Sequence, residues 1–255
     1  MAVIAVSGSA GGIGSALRDL LTCEGAQVIG IDLHDAEVIA DLGGEAGRAQ
    51  ALAEVTRLAR GRLDGLVCAA GVGGTVRPPA RMVAVNYFGA LALMEGLLPL
   101  LREGERPAAV AVASVSATSG PWRGHPVEAA CLAGDEPLAC RLADAAENPY
   151  AGYGCSKHAL AVRVRRLAGE WGAAGVRLNA VAPGPVDTAL HRAALEDPVL
   201  GPRARAFVPP LGVTAEPEEI ARVIQFLLSP AASFVHGSVW FADGGCDAVM
   251  RPNLF

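Results

Sequence analysis

The sequence predicts an α/β fold: a doubly wound parallel sheet of about seven strands, helices on both faces, and a mostly helical segment riding outside. Three observations carry that expectation. Short apolar runs alternate along the 255 residues with stretches of helical periodicity. The runs are apolar throughout, the mark of strands buried on both faces. No linker, low-complexity tract or internal repeat divides the chain, so residues 1–255 read as one domain.

The elements follow in order. AVIAVS (2–7) reads as a first buried strand. Ile13, Ala16, Leu17, Leu20 and Leu21 then recur at helical spacing. AQVIGID (26–32) is the second strand, and residues 45–60 carry Leu52, Val55 and Ala59 on one side of a helix. LDGLVCAAG (63–71) is a strand ending in a glycine turn, and a long helix is predicted over 82–102. AAVAVAS (108–114) is the next strand, 152–171 a helix, and VRLNAVAP (176–183) a strand. The last helix, 217–228, carries Ile220, Val223, Ile224, Leu227 and Leu228, and SVWFADGG (238–245) closes the series. Residues 115–150 contain no strand. Parts, such as 126–146, look helical, and the segment reads as an insertion on the core.

Composition excludes several classes. A net charge of −5 argues against nucleic acid and against a polybasic membrane contact. The six cysteines, Cys23, Cys68, Cys131, Cys140, Cys155 and Cys246, are scattered and form no CxxC pair, so neither a zinc site nor a disulfide framework is expected. The apolar run after Met1 is short for a signal peptide and lacks a basic flank. No stretch approaches the roughly 20 apolar residues of a membrane span. The expected location is the cytoplasm.

VSGSAGGIGSAL (6–17) places Gly8, Gly12 and Gly14 between the first strand and the first helix. Such a turn brings backbone N–H groups up to a pyrophosphate, which then sits on the positive end of the helix dipole. Asp32 ends the second strand, where a carboxylate accepts hydrogen bonds from the adenosine ribose hydroxyls and repels a 2′-phosphate. Positions 9, 10 and 11 are Ser, Ala and Gly, with no basic residue. NAD is therefore expected over NADP, in a Rossmann-type fold. Asp41 and Leu42 follow as candidates to flank the adenine.

YGCSK sets Tyr153 and Lys157 at i and i+4 on one helix face. Tyrosine is a poor base at neutral pH. A neighbouring ammonium and the positive charge of an oxidised nicotinamide favour its phenolate. Tyr153 then takes a proton from an alcohol or returns one to a carbonyl, and Ser114, at a strand end, holds the same oxygen. Lys157 is also placed to grip the nicotinamide ribose. Tyr150 has Gly154, not lysine, four residues on, and reads as a decoy.

With these residues the chain resembles the short-chain dehydrogenase/reductase family over essentially its whole length. The match runs through Gly8-x-x-x-Gly12-x-Gly14, Asn86 in VNYFG, Ser114, Tyr153 with Lys157, and PGPVDT (183–188). The resemblance implies that Asn86 completes a catalytic tetrad, holding a water that connects Lys157 to solvent. It also implies that Pro183, Gly184 and Thr188 line the nicotinamide, with Ile13, Ala70 and Gly71 completing the cofactor contacts. The family's asparagine–alanine–glycine is here Ala69-Ala70-Gly71, a structural substitution. The 39 positions between Ser114 and Tyr153 exceed the family's usual spacing. The insertion resembles that of bacterial 3α-hydroxysteroid dehydrogenase/carbonyl reductases, as do GIDLHDAEVIADL (30–42), FVPPLG (207–212), SPAASFVHG (229–237) and DGGCDAVMRP (243–252).

By that resemblance the expected function is NAD(H)-dependent interconversion of a secondary alcohol and a ketone, on 3α-hydroxysteroids and other carbonyl compounds. An aromatic or cyclic alcohol dehydrogenase or a polyketide ketoreductase uses the same catalytic residues. A non-catalytic dinucleotide sensor would show a broken tetrad, and all four positions are intact. Residues 188–213 are long, apolar and broken by proline, and read as a lid over an apolar substrate, with Leu190, Leu195 and Phe207 as candidate contacts. Trp122, Trp171 and Trp240 read as packing residues, Trp122 being also a candidate to reach the substrate. His158, adjacent to Lys157, points elsewhere and reads as structural, and His125 has no readable partner. The resemblance implies a homodimer through 217–242, the insertion obstructing a tetramer.

Overall fold

Strand β1 (Val3–Ser7) is buried at every position, as a strand between two helical layers must be. The computed structural model describes residues 1–254. The other strands are β2 (Gln27–Asp32), β3 (Val38–Ile39), β4 (Gly65–Cys68), β5 (Ala108–Val112), β6 (Arg177–Pro183) and β7 (Val239–Ala242). All pair in parallel, in the order β3-β2-β1-β4-β5-β6-β7. The order reverses between β1 and β4, which opens a crevice at the carboxyl ends of the strands.

Alternate side chains of each strand feed two separate cores. On one face Ile4, Val6, Val67, Val110 and Val112 lie under α1 (Gly12–Cys23) and α10 (Pro217–Leu228), which contribute Leu17, Leu21, Ile220, Ile224 and Leu227. On the other, Ala5, Ile29, Leu66 and Ala109 lie under α2 (Glu45–Ala59), α4 (Ala90–Arg102) and α7 (Ala151–Ala173), which contribute Val55, Leu97, Val164 and Trp171. Each fully buried large apolar side chain stabilises the fold by about 1.5–3 kcal/mol.

The long helix begins earlier than expected. It runs as α3 (Ala80–Val83), a π-helical turn (Ala84–Gly89) and then α4. A stretch of 18 residues within Ala80–Arg102 has a mean hydropathy of 1.5, so the segment is long and apolar enough to cross a membrane, contrary to the expectation of no such stretch. Its apolarity serves the core, where Met82, Val83, Leu93, Met94, Leu97 and Leu101 are buried.

The insertion holds two helices, α5 (Pro126–Ala133) and α6 (Glu136–Asp144), packed on each other and on α7. His125 finds its partner here: Nδ1 accepts the Val127 N–H at 3.2 Å and caps α5. Asp135 caps α6 in the same way. Arg48 pins α6 to the core through both Glu136 oxygens at 2.6 Å and through the Ala84 carbonyl at 2.9 Å. After β6 come α8 (Ala189–Glu196) and α9 (Gly201–Ala206), then α10 and, past β7, α11 (Cys246–Met250).

Candidate active site

The nucleotide end is made of main chain. Gly8 has φ +73°, a left-handed conformation suited to glycine, and its N–H bonds the Ile31 carbonyl at 2.8 Å. A Cβ on Gly14 would lie 2.0 Å from the Gly8 carbonyl oxygen, so the turn closes only over a bare backbone. Gly12 opens α1, which has no side-chain cap and no acidic residue in its first turn. Its free amide dipoles therefore suit an anion. Asp32 takes the Ala10 N–H on Oδ2 at 2.9 Å and the Leu33 N–H on Oδ1 at 2.7 Å, bracing the turn from the strand end. These features fit a dinucleotide.

Two expected adenine neighbours are otherwise engaged. Asp41 is exposed, and Arg81 holds both its oxygens, at 2.7 and 2.8 Å, which keeps its carboxyl below the usual range. Leu42 is buried in the core. The missing family asparagine has a substitute in Ser7, whose Oγ accepts the Ala70 N–H at 3.2 Å and donates to the Val67 carbonyl at 3.5 Å. Gly71 follows and lines the cavity.

At the catalytic end, Ser114 leaves β5 and its Oγ accepts the Ser116 N–H at 3.1 Å, which leaves its own hydrogen to donate. Tyr153 stands in the first turn of α7, 9% exposed. Burial pushes its phenol up from the ordinary value, and the Ser114 hydroxyl beside it acts in the opposite direction. Lys157 is 4% exposed and donates to the Val112 carbonyl at 2.7 Å. Burial brings its ammonium down to about 8. The ammonium is thus directed at a strand-end carbonyl, and burial is the main influence on the phenol, where the sequence had suggested that Lys157 would lower it. Asn86 sits in the π turn and pairs with Val72 in both directions, Oδ1 accepting at 2.8 Å and Nδ2 donating at 3.0 Å. Its amide fixes the loop after β4 against Lys157, since a Cβ on Gly71 would stand 3.3 Å from Asn86 Oδ1 and 3.4 Å from Lys157 Nζ.

Ser114, Tyr153 and Lys157 open on a cavity of about 310 Å³, while Asn86 is fully buried and does not line it. Ile13, Gly71, Pro183, Gly184, Thr188 and Lys157 are among the residues that line it. Leu190, Ala194, Leu200 and Phe207 bring apolar surface from the lid region. Among the described residues no aspartate or glutamate lines it.

Two candidate substrate contacts need correction. Leu195 does not line the cavity; its carbonyl accepts from Arg205 instead, and Ala194 faces inward. Trp122 is 2% exposed and also absent from the lining. Its Nε1 donates to the Ser116 carbonyl at 2.7 Å, and its ring lies against Gly154, wedging the insertion onto α7. Conversely Tyr150, dismissed for its spacing from lysine, forms part of the cavity wall with Ser116, His191, Arg203 and Met250. Spacing along one helix carried no sign of this, because the wall is assembled from four separate segments.

The description "short chain dehydrogenase" covers residues 2–130, and "Enoyl-(Acyl carrier protein) reductase" covers residues 137–247. The chain is 48% identical over 257 residues to a 3-alpha-hydroxysteroid dehydrogenase/carbonyl reductase from Comamonas testosteroni, covering 100% of both. It is 32% identical over 270 residues to a 2,5-dichloro-2,5-cyclohexadiene-1,4-diol dehydrogenase from Sphingobium indicum, covering 96% of this chain and 97% of the relative. Among solved structures, a 3-alpha-hydroxysteroid dehydrogenase from Pseudomonas sp. B-0831 complexed with NADH superposes with a TM-score of 0.98 at 49% identity, over 100% of both chains.

Proposed function

This chain belongs to the short-chain dehydrogenase/reductase family, and from that premise we propose that it interconverts secondary alcohols and ketones with NAD(H), acting on 3α-hydroxysteroids and other carbonyl compounds. The observation that carries the reading is the convergence of Ser114, Tyr153 and Lys157 on one largely apolar cavity that the glycine-rich turn's Ile13 also lines. The turn and the start of α1 would hold the pyrophosphate, and Asp32 the adenosine ribose. Pro183, Gly184 and Thr188 would line the nicotinamide. When bound, NAD supplies the hydride acceptor and NADH the hydride donor.

The chain's own residues manage the proton. Burial keeps Tyr153 a phenol, the form that gives a proton to a carbonyl oxygen during reduction. Ser114 donates to the same oxygen and orients it. Oxidation asks Tyr153 to take the alcohol's proton, which favours higher pH. Lys157, with its value near 8, is mostly charged at neutrality and opposes the cost of a phenolate in this dry site.

Three further readings belong with this one. Residues 188–213 act as a lid: α8 buries none of its residues, while Leu190 and Phe207 face the cavity. The enzyme is a homodimer through 217–242, where the Phe226 and Trp240 rings meet tilted at 5.5 Å between centroids and remain partly exposed, as does Phe241, with Phe234 fully exposed. Sedimentation should report a dimer, and a tetramer would overturn that assignment. The enzyme works in the cytoplasm.

The deciding experiment mixes the protein with NAD and androsterone and follows NADH absorbance. Rapid turnover is expected, falling about 10²–10⁴-fold in Tyr153→Phe. No turnover with androsterone but turnover with cyclohexanol would favour cyclic alcohols, the reading that the Sphingobium relative supports.

A further inference from the structure

Beside the pair Ser114–Tyr153 stands a second pair of the same kind. Ser116 follows Ser114 by two positions, Tyr150 precedes Tyr153 by three, and their hydroxyls meet at 2.6 Å. Both residues line the cavity. The two tyrosine ring centroids are 5.3 Å apart, so the two pairs are neighbours on one cavity wall.

The pair is held from every side. The Ser116 N–H donates to Ser114 Oγ at 3.1 Å, and the Ser116 carbonyl receives Trp122 Nε1 at 2.7 Å. The Tyr150 N–H is fixed by Asn148 Oδ1 at 3.0 Å. Its ring packs between Trp122, at 6.3 Å, and Tyr153, with the Arg203 guanidinium 5.8 Å over the face. Burial raises the Tyr150 phenol well above its ordinary value, so it stays protonated.

Counting hydrogens shows what remains. Two hydroxyls carry two hydrogens, and their mutual bond uses one. Neither side-chain oxygen has another protein partner among the described residues. One O–H is therefore left over at the cavity wall. When a substrate fills the cavity and excludes water, a donor left without an acceptor costs free energy, which a ligand oxygen placed there would avoid.

We propose that Tyr150 and Ser116 form a second oxygen-binding point, which selects alcohols and ketones carrying a further oxygen acceptor on the same small ring as the reacting carbon. The assignment rests on the oxidoreductase reading above. A site built to donate a hydrogen bond discriminates against an analogue that lacks the acceptor. Tyr150 and Ser116 thus act on specificity, while proton transfer stays with Tyr153.

The test compares cyclohexane-1,4-dione with 4-methylcyclohexanone, similar in size but with a single oxygen, as substrates for NADH oxidation. In wild-type protein kcat/KM should favour the dione. Tyr150→Phe keeps the ring and its packing, and Ser116→Ala keeps the backbone contacts. Each should lower kcat/KM for the dione roughly five- to ten-fold and leave the monoketone within about two-fold. An unchanged dione-to-monoketone ratio in both variants would overturn the proposal, as would equal losses on both ketones. If the wild type neither oxidises NADH with either ketone nor reduces NAD with androsterone, the oxidoreductase reading itself fails. Calorimetric binding of the same two ketones to wild type and variants in the presence of NADH then decides the pair by the same ratio.

Discussion

At the nucleotide end of the crevice stand the main-chain atoms of one glycine-rich turn and the Asp32 carboxylate, at the close of two strands. At the substrate end stand side chains from the insertion, the loop after β4, the lid and α11. Gly8 and Gly14 touch each other across one turn, whereas Tyr150, Leu190, Phe207 and Met250 are drawn from distant parts of the chain. At Gly8 and Gly14 the first region has no room for an added atom. The second includes a helix, α8, with no buried residue, and its shape can change one side chain at a time. The difference teaches where such a protein keeps its cofactor constant and where it leaves its substrate open to revision.

The sharpest way to break the comparison is Gly14→Ala. Its methyl would sit 2.0 Å from the Gly8 carbonyl, a contact that only a rebuilt turn relieves. NADH affinity by calorimetry should fall at least about 100-fold, since the pyrophosphate contacts and helix dipole both depend on that turn. Near-native affinity would show that the turn is as adaptable as the lid.

Next in size is a stability effect at the junction of the two regions. Lys157 has its folded value at about 8, against an ordinary 10.5. Between those values the unfolded chain binds the proton and the folded chain does not, so this group makes stability rise with pH from 8 towards 10.5. Below 8 the folded protein bears the full cost of burying the ammonium. Lys157→Met should therefore be inactive yet more stable at pH 7, by on the order of 2–3 kcal/mol. The gain should shrink as pH climbs towards 10.5. Thermal melts at pH 7 and pH 10 check it, and a lower melting temperature at pH 7 would remove the argument.

The smallest effects lie in the lid. Leu190→Ala and Phe207→Ala should raise KM for bulky apolar substrates about three- to ten-fold and for small ones hardly at all. Leu195→Ala should leave both within about two-fold, because its neighbour Ala194 faces the cavity instead. Equal changes on large and small substrates would end the lid reading.

The same division governs what could be read beforehand. Ile4, Val6, Val110 and Val181 lie in unbroken apolar runs because both sheet faces are covered, so the main strands were legible from composition alone. β3 was not, being only Val38 and Ile39, one buried and one exposed. The glycines, Asp32, Ser114, Tyr153 and Lys157 were legible because strand–turn–helix geometry ties each to a fixed place in the sequence. Tyr150 was passed over because its partner, Ser116, is 34 positions away, and local spacing carries no record of that contact. Trp122 was expected at the substrate because it is large and lies in the insertion. Whether an aromatic ring faces a cavity or fills the space behind it is decided by neighbours such as Gly154.

Gly154 also bears on rearranging the molecule. A Cβ there would meet Trp122 Cε2 at 2.3 Å, so α7 gives up a side chain in its opening turns to let the insertion dock. The insertion and α7 are therefore one portable unit and not two. A chimera that transplants residues 115–150 onto a related scaffold without this glycine would arrive with its tryptophan wedge displaced, and one that deletes them would leave a notch along the helix that carries Tyr153.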